Sequence, residues 1–363
     1  MRNEFPEGTA VVYCDGAFGT TNGKTAHGLV RRTRRYRVAA VIDQRLAGCD
    51  AGVVLDGRAA GIPIVADLAA ALAVAGDARP THFVIGLAPD GGRLPDSARL
   101  AVREALESGL NVDSGLHDFL SDDPALGASA RAHGVAIRDI RKPPGRECLH
   151  FFSGRIEDVD CLTVALLGTD SAVGKRTTAW LLLDALAAAG VRAELVGTGQ
   201  TAWLQGVSYG IILDSLVNDF VAGEIEHAVW SAWRESRPQV IIIEGQGSLM
   251  NPAYPGGYEI LAAGRPDVVI MQHAPARHEY DGFPGYPLHP IATQIAAVEL
   301  VSDRPVVGIT INHEGMSEAE TLESCRLLGA TTGLPVVDPL RQDLGPIVAA
   351  VMAHDRRSPG GRR

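Results

Sequence analysis

The run Gly168-Thr-Asp-Ser-Ala-Val-Gly-Lys-Arg-Thr-Thr178 places a lysine directly behind a glycine, an arrangement that binds phosphate. Backbone N–H groups of such a loop, with those at the start of a following helix, converge on one place and hold phosphate oxygens. Lys175 adds a point charge, and the glycines admit a ligand where a side chain would collide. Gly168, Thr169, Asp170, Gly174, Lys175, Arg176, Thr177 and Thr178 are therefore candidate cofactor-binding residues, and Lys175 is also a candidate catalytic charge. The spacing departs from the standard pattern twice. Five residues separate Gly168 from Gly174, and Arg176 stands where a magnesium-binding hydroxyl normally follows the lysine. Thr177 or Thr178 can substitute for that hydroxyl, so the loop argues firmly for phosphate and weakly for a metal.

Other residues could do chemistry beside it. Glu244 ends the apolar run Gln239–Ile243, a place for a catalytic carboxylate or, with Thr177, a magnesium ligand if a metal-bound nucleotide is used. Gln246, Gly247 and Ser248 follow it and can bring amides to a substrate carboxylate, although glycines alone also mark a tight turn. Gln200 and Thr201, in Gly197-Thr-Gly-Gln-Thr201, follow another strand end. Ligands of open parallel sheets lie beyond the carboxyl ends of the strands, so the loops at Gly168, Gly197 and Glu244 are expected to meet at one crevice. Asp214 and Asp219 fit solvated helix starts better than a catalytic base. Asn312 offers a donor and an acceptor to a nucleotide base, or else forms a turn. His273, Arg277 and His278 fall in a predicted loop after Val268–Gln272. Pro275 interrupts any helical zinc spacing, so this loop suits an anionic substrate, with Arg277 binding it and His273 as a general base near neutral pH. Gly19–Thr25 imitates a second phosphate loop with Phe18 in the place of its first glycine. Lys24 and Thr25 then read as an anion-binding turn at the domain interface, counted with the substrate-binding candidates. Asp43 has the position of a ribose-binding acid, but no GxGxxG accompanies it, which leaves a nicotinamide dehydrogenase poorly supported.

Positioning these residues requires alternating strands and helices. Apolar runs at Thr9–Tyr13, Val38–Ile42, Ile62–Val65, Thr81–Gly86 and Asn111–Asp113 alternate with helical stretches at Lys24–Arg31, Asp67–Ala75 and Asp96–Ser108. That alternation predicts a parallel sheet with crossovers. Arg141-Lys-Pro-Pro-Gly-Arg146 breaks it, because prolines and glycine forbid continued helix. A second series follows, with strands at Cys161–Leu167, Arg192–Val196, Gln239–Ile243, Asp267–Met271, Pro305–Ile311 and Pro335–Val337, and helices at Thr177–Ala189 and Ala222–Glu235. The fold class is α/β. A Rossmann-like N-terminal domain over residues 1–145 precedes a P-loop NTPase-like, doubly wound parallel-sheet domain over 146–355, and 356–363 reads as a disordered tail.

Composition narrows the function classes. With 363 residues, 46% hydrophobic and 21% charged, the chain has the balance of a soluble two-domain protein. A net charge of -10 argues against a nucleic-acid platform, which needs a basic face. Five scattered cysteines without a CxxC pair fit reduced thiols. The start Met1–Gly8 lacks a signal-peptide core, and no apolar run reaches membrane-spanning length. A cytoplasmic protein without membrane or nucleic-acid partners is expected. The oligomeric state is left open, and a homo-oligomer is compatible with the sequence.

Gly168-Thr169-Asp170 with Gly174-Lys175 resembles the loop of dethiobiotin synthetase and its relatives. The whole chain is similar to a nearer group, bacterial P-loop proteins long catalogued as a domain of unknown function, with a Rossmann-like N-terminal domain. The motifs that carry this are Lys24–Leu29, Val41-Ile-Asp43, Gly168–Thr178, Gly197–Thr201, Glu244–Ser248 and Phe283-Pro-Gly-Tyr-Pro287. The nearer resemblance implies D-glutamate N-acetyltransferase activity for some members, and so acetyl-CoA as cofactor and a small acidic amino acid as substrate. The dethiobiotin synthetase resemblance, and the loop read alone, imply ATP with magnesium in a ligase or kinase. A nucleotide sensor without catalysis is a third reading.

Overall fold

A computed structural model describes residues 7–355, so the expected tail at 356–363 lies outside the described residues. Two compact units divide the described residues, one of residues 7–144 with 199–207, the other of residues 145–198 with 208–355. Both are wholly parallel α/β sheets, which the alternation of strands and helices requires.

The first unit contains β1 (Gly8–Tyr13), β2 (Tyr36–Ile42), β3 (Ile64–Val65), β4 (His82–Ile85), β5 (Asn111–Ser114) and β6 (Ile137–Asp139), in the order β3-β2-β1-β4-β5-β6. That order reverses direction between β1 and β4, the Rossmann arrangement. Ala10, Val11, Val12, Phe83, Val84 and Ile85 are fully buried at its centre. Two helices absent from the sequence reading, Ala51–Asp56 and Pro124–His133, complete it; Asp50 and Asp123 cap them by accepting N–H groups of their first turns. The short strand β6 was also not anticipated.

The second unit contains β7 (Leu162–Gly168), β8 (Ala193–Gly197), β9 (Tyr209–Gly210), β10 (Val240–Glu244), β11 (Val268–His273), β12 (Val306–Ile311) and β13 (Val336–Val337), ordered β13-β12-β11-β7-β10-β8-β9. β7 and β10 are buried along their whole lengths, as a central parallel strand covered on both faces must be. The helix after the phosphate loop spans Lys175–Ala188, so it begins at the lysine itself and not at Thr177. β11 runs on to His273, which makes this histidine the last residue of a strand and corrects its expected place in a loop.

A second correction concerns Gln200 and Thr201. They open a short helix, Gln200–Gln205, that belongs to the first unit although its neighbours in sequence belong to the second. Thr201, Ala202, Leu204 and Gln205 are buried there. The Gln205 side-chain amide donates to the carbonyls of Gly28 and Arg32 at 2.8 and 2.9 Å, closing the C-terminal end of the helix Lys24–Arg31.

Candidate functional site

Register places the chemistry. β7 and β11 are paired so that Gly168 stands opposite Gln272, and β10 ends with Glu244 beside Leu166 of β7. The ends of β7, β8, β10, β11 and β12 therefore present Gly168, Gly197, Glu244, His273 and Ile311 at one edge of the sheet, where ligands of such sheets bind.

The phosphate loop turns through two left-handed residues, Ala172 at φ 50° and Gly174 at φ 108°. Gly174 meets a requirement of backbone conformation, since L side chains rarely adopt its φ. Lys175 is buried, and its ammonium donates to the carbonyls of Asp170 and Gly247, each at 2.7 Å. It thereby ties the phosphate loop to the loop after β10. Asp170 is fully buried and its carboxylate is a hub: Oδ1 accepts from Ser171 N–H and the Asn251 amide, Oδ2 from Arg277 and Asp281 N–H. With four donors on two oxygens, it holds loops together and has little left for a cofactor.

Other loop residues are held from beneath. Thr178 donates to the Gln272 side-chain carbonyl at 2.6 Å, as does Thr310. Thr178 is thus committed to the sheet, which leaves Thr177, half-buried in the first helical turn, as the other hydroxyl the sequence offered. Thr169 pairs with His273 Nδ1 at 3.0 Å, and its carbonyl accepts from the Gln294 amide. Burial pulls the His273 pKa down to about 4. It is therefore neutral near pH 7 and too weak a base for the role expected of it.

Glu244 behaves in the opposite sense. Its carboxylate is buried, and burial raises its pKa against the opposing charges of Arg176 and Lys175 and the Thr198 N–H bond. Oε2 accepts that N–H at 3.0 Å, while Oε1 accepts no hydrogen bond from the described residues. The Thr198 hydroxyl donates to the Glu244 carbonyl and accepts from the Gln246 amide, each at 2.9 Å. Arg176 thus enters the site by its charge on Glu244. Ser248 is buried, and its hydroxyl meets no partner among the described residues.

Arg277 is employed differently from the substrate clamp expected of it. One terminal nitrogen donates to Asp170 and the Ser171 carbonyl, the other to the Ala172 carbonyl and Glu314. It fastens the phosphate loop from outside. Asn312 uses its side-chain carbonyl to accept Glu314 N–H, the turn alternative. Thr25 and Thr201 do come together, at 3.1 Å, but both are buried in the first unit with Lys24 at the start of the same helix as Thr25. Sequence reasoning passed over Thr198, Asn251, Gln272, Asp281 and Gln294, all of which hold the site. For Thr198 a signal existed, since it immediately follows the strand end at Gly197.

Among the described residues no group of three His, Cys, Asp or Glu side chains is arranged to hold a metal ion. Thr177 and Glu244 are the two oxygen donors the sequence offered, and Glu244 already shares one oxygen with Thr198.

Known proteins with these features share the full layout. Residues 150–348 match a family described as a domain of unknown function (DUF1611_C), P-loop domain, and residues 44–143 match its Rossmann-like companion, DUF1611_N. A protein named D-glutamate N-acetyltransferase from Tritonibacter scottomollicae is 34% identical over 278 residues, 75% of this chain and 81% of that one. Another of the same name from a Pseudoalteromonas species is 34% identical over 274 residues, 74% of this chain and 80% of its own. The crystal structure of a DUF1611 family protein from Anabaena variabilis has a TM-score of 0.87 at 30% identity, covering 95% of this chain and 99% of that one. With its two sheets, its phosphate loop and these relatives, the chain belongs to the DUF1611 family.

Proposed function

We propose that this chain is an N-acetyltransferase that moves an acetyl group from acetyl-CoA to the amine of a small acidic amino acid of the D-glutamate type. The relatives' activity supports the reaction class. Within this chain, the supporting observation is Glu244, a buried carboxylate of raised pKa beside the phosphate loop, with one oxygen accepting no bond from the described residues. Acyl transfer to an amine needs such a base, because the ammonium form has no lone pair to attack with.

The residues present fit the phosphates of coenzyme A. Loop N–H groups, the left-handed Gly174, Lys175 and Arg176 form a cationic, donor-rich cradle. Acetyl-CoA supplies the acyl group already activated as a thioester. Lys175 and the loop hold its phosphates, and Glu244 Oε1 takes the proton that leaves the substrate ammonium. That proton then goes to the departing thiolate, which restores Glu244, and the second proton lost by the nitrogen as the amide forms goes to solvent. The Gln246 amide hydrogen not given to Thr198, the Gly247 N–H and the Ser248 hydroxyl suit the substrate carboxylate and the carbonyl oxygen that gains charge. His273 orients Thr169 in this scheme and takes no proton.

ATP with magnesium is the competing use of the same cradle. Asp170 and Thr178 are committed to other bonds, which favours the acetyl reading. Purified protein incubated with D-glutamate and acetyl-CoA should yield N-acetylglutamate and free coenzyme A without ATP. Phosphate release from ATP and magnesium with no acetylated product would establish the ligase or kinase reading instead. Ligand-raised thermal stability with no turnover of either would leave a sensor. The reading includes a cytoplasmic enzyme acting on a small molecule, with neither nucleic acid nor membrane as partner.

A further inference from the structure

The second unit has a cavity of about 280 Å³ that shares no residue with the loops at the strand ends. Its floor is one face of the helix Asn218–Ser236, where Gly223, His227 and Trp230 follow the helical period. Its other wall is the strap of chain that enters the unit, including His150, Phe151 and Arg155. The strap lies so close that a Cβ on Gly223 would stand 2.0 Å from the His150 carbonyl oxygen. Two glutamates on the helix hold it there. Glu224 Oε1 accepts from His150 N–H at 2.6 Å and bonds its Nδ1 at 2.8 Å, and Glu226 accepts from Ser153 N–H, the Ser153 hydroxyl and Ile156 N–H.

Both acids of this wall are thus consumed by the strap, and what remains toward the cavity is donors. His150 and His227 stack at 3.6 Å, and no described residue hydrogen-bonds the His227 ring. The Arg155 guanidinium lies 5.0 Å over the Trp230 ring, and no described carboxylate pairs with it. Trp230 Nε1 is buried without an acceptor among the described residues. That N–H is closed to solvent, so Trp230 lines the cavity through its other atoms. Phe151, 66% exposed, and the flat faces of the stacked rings supply apolar wall beside these donors.

We propose that this cavity binds a small oxyanion carried on a flat apolar body, its oxygens taken by Arg155 and His227 and its body lying against Phe151 and Trp230. The site is independent of the acetyl-transfer reading. A cation, by contrast, would find no unshared carboxylate here.

The test is calorimetric titration of the full chain with sodium benzoate and with inorganic phosphate, in a Lys175→Ala background that removes the phosphate loop as a competing anion site. Saturable benzoate binding is expected, weakened about tenfold or more by Arg155→Gln, whose charge-assisted bonds are the strong ones, and severalfold by His227→Phe, which keeps a ring in the stack. Phosphate should compete with benzoate while binding more weakly, since it lacks the apolar body. Arg155→Lys, which keeps the charge, should restore part of the affinity and guards against a variant that merely misfolds. No saturable heat with either probe, or equal benzoate affinity across wild-type cavity, Arg155→Gln and His227→Phe proteins of unchanged melting temperature, overturns the proposal.

Discussion

Two titratable side chains at the strand ends are shifted in opposite chemical directions by the same burial. Glu244 gains proton affinity and His273 loses it, because burial disfavours the charged form of each. The expected consequence at Glu244 is catalytic. Glu244→Gln should lower kcat by roughly 10²–10⁴-fold, the usual worth of a general base, with the KM for acetyl-CoA little changed. In the wild type the rate should fall on the acid side with an inflection above the ordinary carboxylate range, since protonation there removes the base; a Glu244→Gln enzyme with wild-type kcat would remove this residue from the mechanism. At His273 the consequence is stability. Its native pKa of about 4 lies below the ordinary 6.5, so between those values the unfolded chain binds more protons. Stability is therefore lost as pH falls from 6.5 toward 4, by about 3 kcal/mol if this group acts alone. Thermal unfolding of His273→Gln should show a correspondingly shallower loss of Tm across that window.

At the scale of elements, helix ends and straps decide where side chains are held. The strap on the helix Asn218–Ser236 depends on a missing side chain at Gly223 and on the glutamates one and three positions on, Glu224 and Glu226. Gly223→Ala should push the strap away and lower stability by about 1–3 kcal/mol, the usual cost of overpacking, measurable as a fall in denaturation midpoint; an unchanged midpoint would mean that the strap yields freely. The sequence reading caught five helices and missed Tyr258–Gly264, Ile291–Ser302, Glu318–Thr332 and Gly345–Met352 in the second unit and, in the first, Pro124–His133. That helix has an Asp cap, a proline in its first turn and a left-handed glycine behind it, signals that define ends but carry little apolar periodicity between them. It also missed Gln200–Gln205, because six residues show less than two turns of any period.

For the whole molecule, the chain does not divide at one cut. The break at Arg141–Arg146 is visible in the sequence, yet the first unit also takes residues 199–207. Trp203 in that segment lies under Arg35 at 3.7 Å and Arg138 at 4.7 Å, and Leu204 is fully buried. A fragment of residues 1–144 should therefore melt well below the first unit of the intact chain. Leu204 burial alone is worth about 2 kcal/mol, and the helix Lys24–Arg31 would lose the amide that closes its carbonyls. Calorimetry of the fragment would show it; melting at the intact temperature would make the inserted helix dispensable.

The linear order of residues determined the two parallel sheets and the phosphate loop. Apolar runs of strand length alternate with helices, and Gly174-Lys175 follows one of those runs directly. Local rules suffice there, because period and turn chemistry act within a few residues. Only the tertiary structure decided what each polar side chain is used for. Asp170, Arg277 and Thr178 look like ligand-binding residues in the sequence, but, apart from the adjacent Ser171 N–H, partners 37 to 111 positions away take up their side-chain hydrogen bonds. Glu244 and His273 look alike as acid–base candidates, and their burial separated them. Hydrogen-bond partnership and desolvation depend on residues far apart in the chain, so neither can be read from spacing.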